Sequence, residues 1–234
     1  MQKKIRASLQ EFADESDAIT LQRFFKTGPG EYGEGDRFLG VRVPAIRRVA
    51  RKYQNVSTTD VQTLIQSDIH EERLLALIIL TQKYQKVTPD EQAEIYRIYL
   101  NHTRYINNWD LVDASAEHIV GAYLENKSRK PLYDLSHSES IWERRIAIMS
   151  TFHFIKNDEF DETLKIADML ISDTEDLIHK AVGWMLREVG KRDRSTEETF
   201  LRKHYRNMPR TMLRYAIEKF PEDIRQQYLK GTMK

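Results

Sequence analysis

The 234-residue sequence predicts an all-α chain, an α-solenoid of tandem helix pairs, on three observations. Nine glycines and six prolines are too few for turn-rich β architecture. Apolar residues recur at helical spacing along the chain, and no stretch alternates as a half-buried strand would. Four segments also recur: ERLLALIIL (72–80), NWDLVDASA (108–116), ERRIAIMST (143–151) and IHKAVGWML (178–186). With Leu74, Trp109, Arg145 and Lys180 as equivalent points, the intervals are 35, 36 and 35 residues. Each interval holds one shorter and one longer helix. Stacked arrays of such pairs curve and present a concave face to a long ligand.

In chain order, Gln2–Ala13 and Asp17–Phe25 read as two short amphipathic helices. A break follows at TGPGEYGEGD (27–36). Pro44 then occupies a first-turn position in the helix Val43–Tyr53, where its missing N–H costs nothing. Ser57 is placed to cap TTDVQTLIQ, and Thr88-Pro89 to open DEQAEIYRIYL. Longer periodic segments run over Ile69–Tyr84, Asn108–Leu124, Ser140–Ile155 and Asp176–Lys191, with a last helix over Met212–Phe220. The chain reads as one domain: a helical pair (1–26), a glycine-rich loop (27–42) and tandem repeats (43–230). The period is somewhat tighter than the ~40–47 residues of HEAT-type units.

Composition narrows the function. Without cysteine there are no disulfides, thiolate nucleophiles or Cys-ligated zinc sites. The seven histidines offer no pair at helical ligand spacing, and HEER (70–73) is not H-E-x-x-H, so no metal site is expected. GPGEYG (28–33) spells G-x-G-x-x-G, yet a helix precedes it and no βαβ unit follows, so it reads as a flexible connector. No secretory signal is expected in MQKKIRASLQEF, and LLALIIL (74–80) is too short to span a bilayer. A cytoplasmic protein with no membrane partner is the default expectation. Net charge is only +1, but the segment from Lys180 onward carries 14 basic against 7 acidic residues. That asymmetry fits a polyanionic partner, or two solvated faces of unequal charge.

Two stretches carry the candidate chemistry. Lys180, Trp184, Arg187 and Lys191 follow i, i+4, i+7, i+11, one stripe of a helix, with Ala181, Val182, Met185 and Val189 on the apolar side. A ring displayed among cations suits a sugar-phosphate backbone; the plainer reading is an indole lying across lysine stems. Arg47, Arg48, Arg51 and Lys52, then Arg144 and Arg145, then Arg210 and Arg214 add cations on other helices, lining a groove or facing solvent. In NNWDLVD (107–113) one asparagine serves as N-cap and Asp110 complements the helix dipole. Asp113 lies a turn further in and shares a face with Trp109 and Ala116, a ring beside a carboxylate. Trp142 is expected in the core.

WDLVD (109–113), IWERR (141–145), HKAVGWMLRE (179–188) and FLGVRVPAIRR (38–48) resemble the AlkD-like DNA alkylation repair glycosylases, in the family's order and over most of the chain. The resemblance implies a right-handed superhelix of HEAT-like repeats with a concave basic face. It further implies excision of cationic alkylated purines, such as 3-methyladenine and 7-methylguanine, from duplex DNA without base flipping. Its functional residues fall on Trp109, Asp113, Arg145 and Trp184. Asp113 would steady positive charge on the sugar and place the water, the indoles would face that charge, and Arg145 would hold a phosphate. DNA contacts are expected from Arg47, Arg48, Arg51, Arg144, Lys180, Arg187, Lys191 and Arg214. No metal or organic cofactor is required, and a monomer without an obligate protein partner is expected. The chain departs from the family pattern at Asn108, where an aromatic is usual, and in a longer glycine-rich insert. Two other classes compete: a non-enzymatic DNA-binding solenoid for distorted or branched DNA, and a scaffold for protein partners.

Overall fold

A computed structural model describes residues 1–233. The described residues form helices joined by loops and contain no strand; one isolated bridge pairs Arg37 with Ile69. The all-α, helical-repeat class expected from the periodicity is the one observed. Backbone contacts divide the chain into two compact units, Met1–Tyr123 and Leu124–Lys234.

The first unit contains α1 (Gln2–Gln10), α2 (Glu15–Phe24), α3 (Val43–Lys52), α4 (Thr58–Ile65), α5 (His70–Tyr84), α6 (Pro89–Asn101) and α7 (Trp109–Asp113). A three-residue helix, α8 (Ala122–Leu124), crosses the division. The local signals act as expected. Ser57 accepts the Asp60 N–H at 3.1 Å, and Thr88 and Glu91 close a reciprocal capping box, each cap worth about 1 kcal/mol. α5 is apolar all round over Leu74–Leu80, which are buried, and it packs against α3, α4 and α7. A helix without a polar face has to sit at the centre of its unit.

The second unit contains α9 (Lys130–Ser136), α10 (Ile141–Ser150), α11 (Phe152–Lys156), α12 (Asp161–Met169), α13 (Asp176–Gly190), α14 (Arg194–His204), α15 (Arg210–Ala216) and α16 (Glu222–Lys230). Its centre is α13, which packs on α10, α14 and α15. Ala181, Val182, Met185 and Val189 are fully buried, as their helical spacing requires. Gly183 lets α15 approach closely, since a Cβ there would lie 2.4 Å from the Met212 carbonyl oxygen.

Two long helices expected from periodicity are interrupted. Asn108–Leu124 divides into α7, a π-helical turn (Glu117–Gly121) and α8. Ser115 Oγ donates to the Leu111 carbonyl at 2.5 Å, a side-chain bond that competes with the backbone ladder, and the wide turn follows. Ser140–Ile155 divides at Thr151, where Ser150 and Thr151 hydroxyls donate to the Ile146 and Ile148 carbonyls at 2.6 and 2.7 Å. Hydroxyls within a helix act on bonding geometry that apolar periodicity does not register.

The glycine-rich loop is more ordered than a flexible connector. Gly28 and Gly30 N–H groups donate to the Glu31 and Glu34 carboxylates at 2.9 Å each, and the Gly33 N–H to the Lys26 carbonyl at 3.0 Å. Gly33 is required by close approach: a Cβ would lie 2.4 Å from the Phe25 carbonyl oxygen. The loop end is held from α5. Buried Glu71 accepts the N–H groups of Leu39, Gly40 and Val41 at 2.9–3.1 Å.

Candidate functional site

The NNWDLVD stretch forms α7, only five residues long, with Asn108 as N-cap accepting the Trp109 N–H at 2.8 Å. Trp109 and Asp113 stand first and last in it, both half-buried, and the i, i+4 spacing sets them on one face. Ala116, expected on that face, is fully buried beyond the end of the helix. Asn108 is wholly enclosed, with its amide toward Gly33, so an aromatic side chain at this position would not face solvent as the chain folds here.

Rings frame Trp109. Phe25 stacks on it at 5.2 Å between centroids and 27° between planes, and Phe24 meets it edge-on at 5.8 Å. Phe24, the last residue of α2, is 61% exposed, so it extends the aromatic surface outward. Behind Phe25 lie Phe38, stacked at 5.2 Å, and His70 at 5.0 Å. Phe38 in turn stacks on the His70 ring at 4.4 Å. Offset or edge-on pairs of this kind add about 0.5–1.5 kcal/mol each beyond area burial.

His70 opens α5 and is almost wholly buried. Its Nδ1 lies 2.8 Å from Asp36 Oδ2, and its Nε2 lies 2.8 Å from Asp110 Oδ2. Burial alone would depress its pKa, but the Asp110 and Asp36 carboxylates more than offset this and push it up to about 9. Arg73 donates to Asp36 at 2.5 Å and to the Ser67 carbonyl at 2.9 Å. Burial acts to raise the Asp36 pKa, yet His70 and Arg73 hold it below its ordinary value. Asp110 thus occupies the first helical turn as expected, but its closest partner is a cation from α5. Near Asp113, the fully buried Tyr99 hydroxyl lies 3.0 Å from Ser115 Oγ. Burial, aided by the Asp113 charge and opposed by the Ser115 bond, holds that hydroxyl well above its ordinary pKa.

On α13 the expected stripe is present, but it is not a row of bare cations. Trp184 donates its indole N–H to Glu188 Oε1 at 3.1 Å, and Lys191 reaches the same oxygen at 2.6 Å. Arg187 and Arg192 lie 3.9 and 3.8 Å from the same carboxylate, and Arg187 also pairs with Glu218. Lys180 pairs with Asp176 at 2.7 Å, which holds that carboxyl below its ordinary range. Phe152 flanks the Trp184 ring at 6.2 Å.

The remaining candidates differ in what they can offer. Arg145 is 4% exposed and donates to the Leu177 carbonyl at 2.6 Å. Arg144 is bound to Asp173 at 2.6 Å and to the Ser138 and Glu139 carbonyls at 2.9 Å. Arg48 is exposed and lies over the Phe12 ring at 5.1 Å. Arg47, Arg51 and Arg214 are exposed and make no ion pair among the described residues. Trp142 is buried, as expected. Sequence reasoning missed Phe24, Phe25, His70 and Glu188. His70 was weighed only as a metal ligand, and the i+4 spacing of Glu188 from Trp184 was its available signal.

Among the described residues no group of three His, Asp or Glu side chains is placed to hold a metal ion, and no helix is long and apolar enough to cross a membrane. The family described as DNA alkylation repair enzyme matches residues 5–220. No curated protein matches the sequence. A solved structure described as a predicted DNA alkylation repair enzyme from Enterococcus faecalis superposes with a TM-score of 0.68 at 17% identity, covering 90% of this chain and 97% of the other. At that identity the likeness is one of fold.

Proposed function

Because the chain belongs to the DNA alkylation repair enzyme family, matched over residues 5–220, we propose that it is a monofunctional glycosylase releasing cationic alkylated purines from duplex DNA. The observation that carries the reading is α7: a half-exposed carboxylate and a ring-backed indole on one face of a five-residue helix. A binding module has no use for a carboxylate beside a phosphodiester, whereas a reaction that builds positive charge on a sugar does.

An alkylated purine such as 3-methyladenine or 7-methylguanine carries a positive charge and leaves without a strong general acid. The C1′–N9 bond breaks with its electron pair passing to the base, which neutralises the ring cation. Positive charge moves to the deoxyribose, where Asp113 stabilises it and orients a water. The water oxygen bonds to C1′ and releases its proton to Asp113 or solvent. Trp109, with Phe24 beside it, and Trp184 offer π faces to the cationic sugar, each worth ~0.5–2 kcal/mol. We assign Arg145 a phosphate next to the lesion, with its five N–H groups shared between that phosphate and protein acceptors such as Leu177. Arg47, Arg51 and Arg214, exposed and outside ion pairs, are the strongest candidates for the remaining backbone. The base stays in the duplex, the chain acts as a monomer in the cytoplasm, and the chemistry uses side chains and water.

Incubation of the purified protein with N-methylated duplex DNA tests the proposal by chromatography of the released material. Free 7-methylguanine or 3-methyladenine is expected. Binding without release of any alkylpurine overturns it and favours a non-enzymatic binder of distorted or branched DNA.

A further inference from the structure

His70 lies one helix behind the candidate site, and its geometry specifies its charge. Each ring nitrogen faces a carboxylate oxygen at 2.8 Å, Asp36 on one side and Asp110 on the other. A neutral imidazole has one N–H and one lone pair, so one of these contacts would set lone pair against lone pair. With both carboxyl groups ionised, both distances are satisfied only by the doubly protonated ring. The surrounding charges balance it. Asp36 and Asp110 face it, Arg73 of the same helix neutralises Asp36, Glu71 is committed to the backbone of residues 39–41, and Glu72 pairs with Arg6.

That cation holds two things. Asp110 follows Trp109 directly and precedes Asp113 by one turn in a helix too short to hold its own register. The His70 ring also backs Phe25, which stacks directly on Trp109. We propose that His70, as an imidazolium, is the positioning residue of this site: it pins the start of α7 through Asp110 and sets the plane of Trp109 through Phe25. Its effect on base release rests on the glycosylase reading; its effect on the orientation of Trp109 does not. The pin is present while His70 keeps its second proton and is released as pH rises through about 9.

Two variants of the full chain and two readouts test this. His70→Phe keeps a flat ring against Phe25 and Phe38 but removes both donors and the charge. Asp110→Asn keeps the shape at the start of α7 but removes one of the two carboxylates. The first readout is NMR: the His70 ring resonance and the Trp109 indole N–H, assigned by its loss in Trp109→Phe, followed from pH 7 to 10. In the wild type the indole resonance is expected to shift with the His70 midpoint near pH 9, and in Asp110→Asn both midpoints are expected to fall together. The second readout is single-turnover release of 7-methylguanine. In His70→Phe the rate at saturating enzyme is expected to fall ten- to a hundredfold, with half-saturation moved less than threefold.

An indole resonance that stays fixed through the His70 titration overturns the proposal. So does a folded His70→Phe protein that releases base at the wild-type rate. Should His70→Phe fail to fold, Asp110→Asn decides, and an unmoved indole midpoint there is fatal. If the ion pair were purely stabilising, its removal would lower the melting temperature without coupling the two resonances, which also overturns the proposal. Absence of base release from the wild type, with the coupled titration intact, sinks the glycosylase reading and leaves the positioning role standing.

Discussion

Trp109 and Trp184 both stand half-exposed on a helix, yet their surroundings differ in kind. Trp109 is backed by rings, with Phe25 stacked on it, Phe24 at its edge and a buried cation behind. Trp184 is tied by its indole N–H to Glu188, a carboxylate that also gathers Lys191, Arg187 and Arg192. The first arrangement fixes a ring plane by packing, which leaves little for a ligand to reorganise. The second fixes it by a hydrogen bond within a charge cluster, which an approaching phosphate can rearrange. Two indoles expected to do one job are held by different physics, so they are expected to fail differently.

Asp113→Asn, beside the rigid indole, is the largest test. Base release is expected to fall by about 10²–10³, the typical loss for one charge-stabilising group, while undamaged duplex binds as tightly or more tightly. Release at the wild-type rate removes Asp113 from the chemistry. Next come the indoles themselves. Trp109→Ala, which also unstacks Phe25, is expected to slow release by up to about 30-fold, corresponding to ~2 kcal/mol, and Trp184→Ala by less. The reverse order in single-turnover assays breaks the contrast drawn between them.

Smaller effects separate interface cations from structural ones. Removing Arg47 and Arg51 together is expected to weaken duplex binding and reduce the salt slope by about 2, since each phosphate contact contributes ~0.9. Arg144→Ala is expected to leave the slope alone and lower the melting temperature, because its guanidinium is held by Asp173 and two carbonyls. Equal slopes for both variants refute the division. Glu188→Gln frees the cations around Trp184, so duplex affinity is expected to rise severalfold with a salt slope steeper by about 1; weaker binding would mean that the cluster itself shapes the surface.

A last effect lies in the second unit, where burial keeps a side chain neutral, whereas at His70 two carboxylates keep one charged. Glu197 is buried against Gly190, where a Cβ would fall 1.6 Å from its Oε2, and burial pushes its pKa from 4.5 up to about 9. The folded chain keeps a proton there that the unfolded chain releases above pH 4.5, so this group lowers stability progressively from that pH toward 9. His70 has the same slope over a narrower range: its raised pKa stabilises fully below about 6.5, and that contribution is lost as pH rises through about 9. Glu197→Gln is therefore expected to raise stability at pH 8 and far less near pH 5. Thermal melts showing the same increment at both pH values refute the assignment.

Much of this was legible beforehand. Helix class, the caps at Ser57 and Thr88, the first-turn proline at Pro44 and the apolar face of α13 are local matters of spacing and bonding reach, and each stands where expected. The interruptions at Ser115 and Thr151 were missed because hydroxyl–carbonyl bonds leave no trace in apolar periodicity.

By itself the sequence determined that the chain is helical, that Trp109 and Asp113 share a face, and that Trp184 sits among cations, because 3.6 residues per turn is a property of the backbone. Only the tertiary structure decided which charges are spent and which remain. Asp36 lies 34 residues from His70 and Asp110 lies 40, and Phe24 and Phe25 reach Trp109 from another helix. Such partners are chosen by packing, whose energies are set by distances that no local spacing encodes.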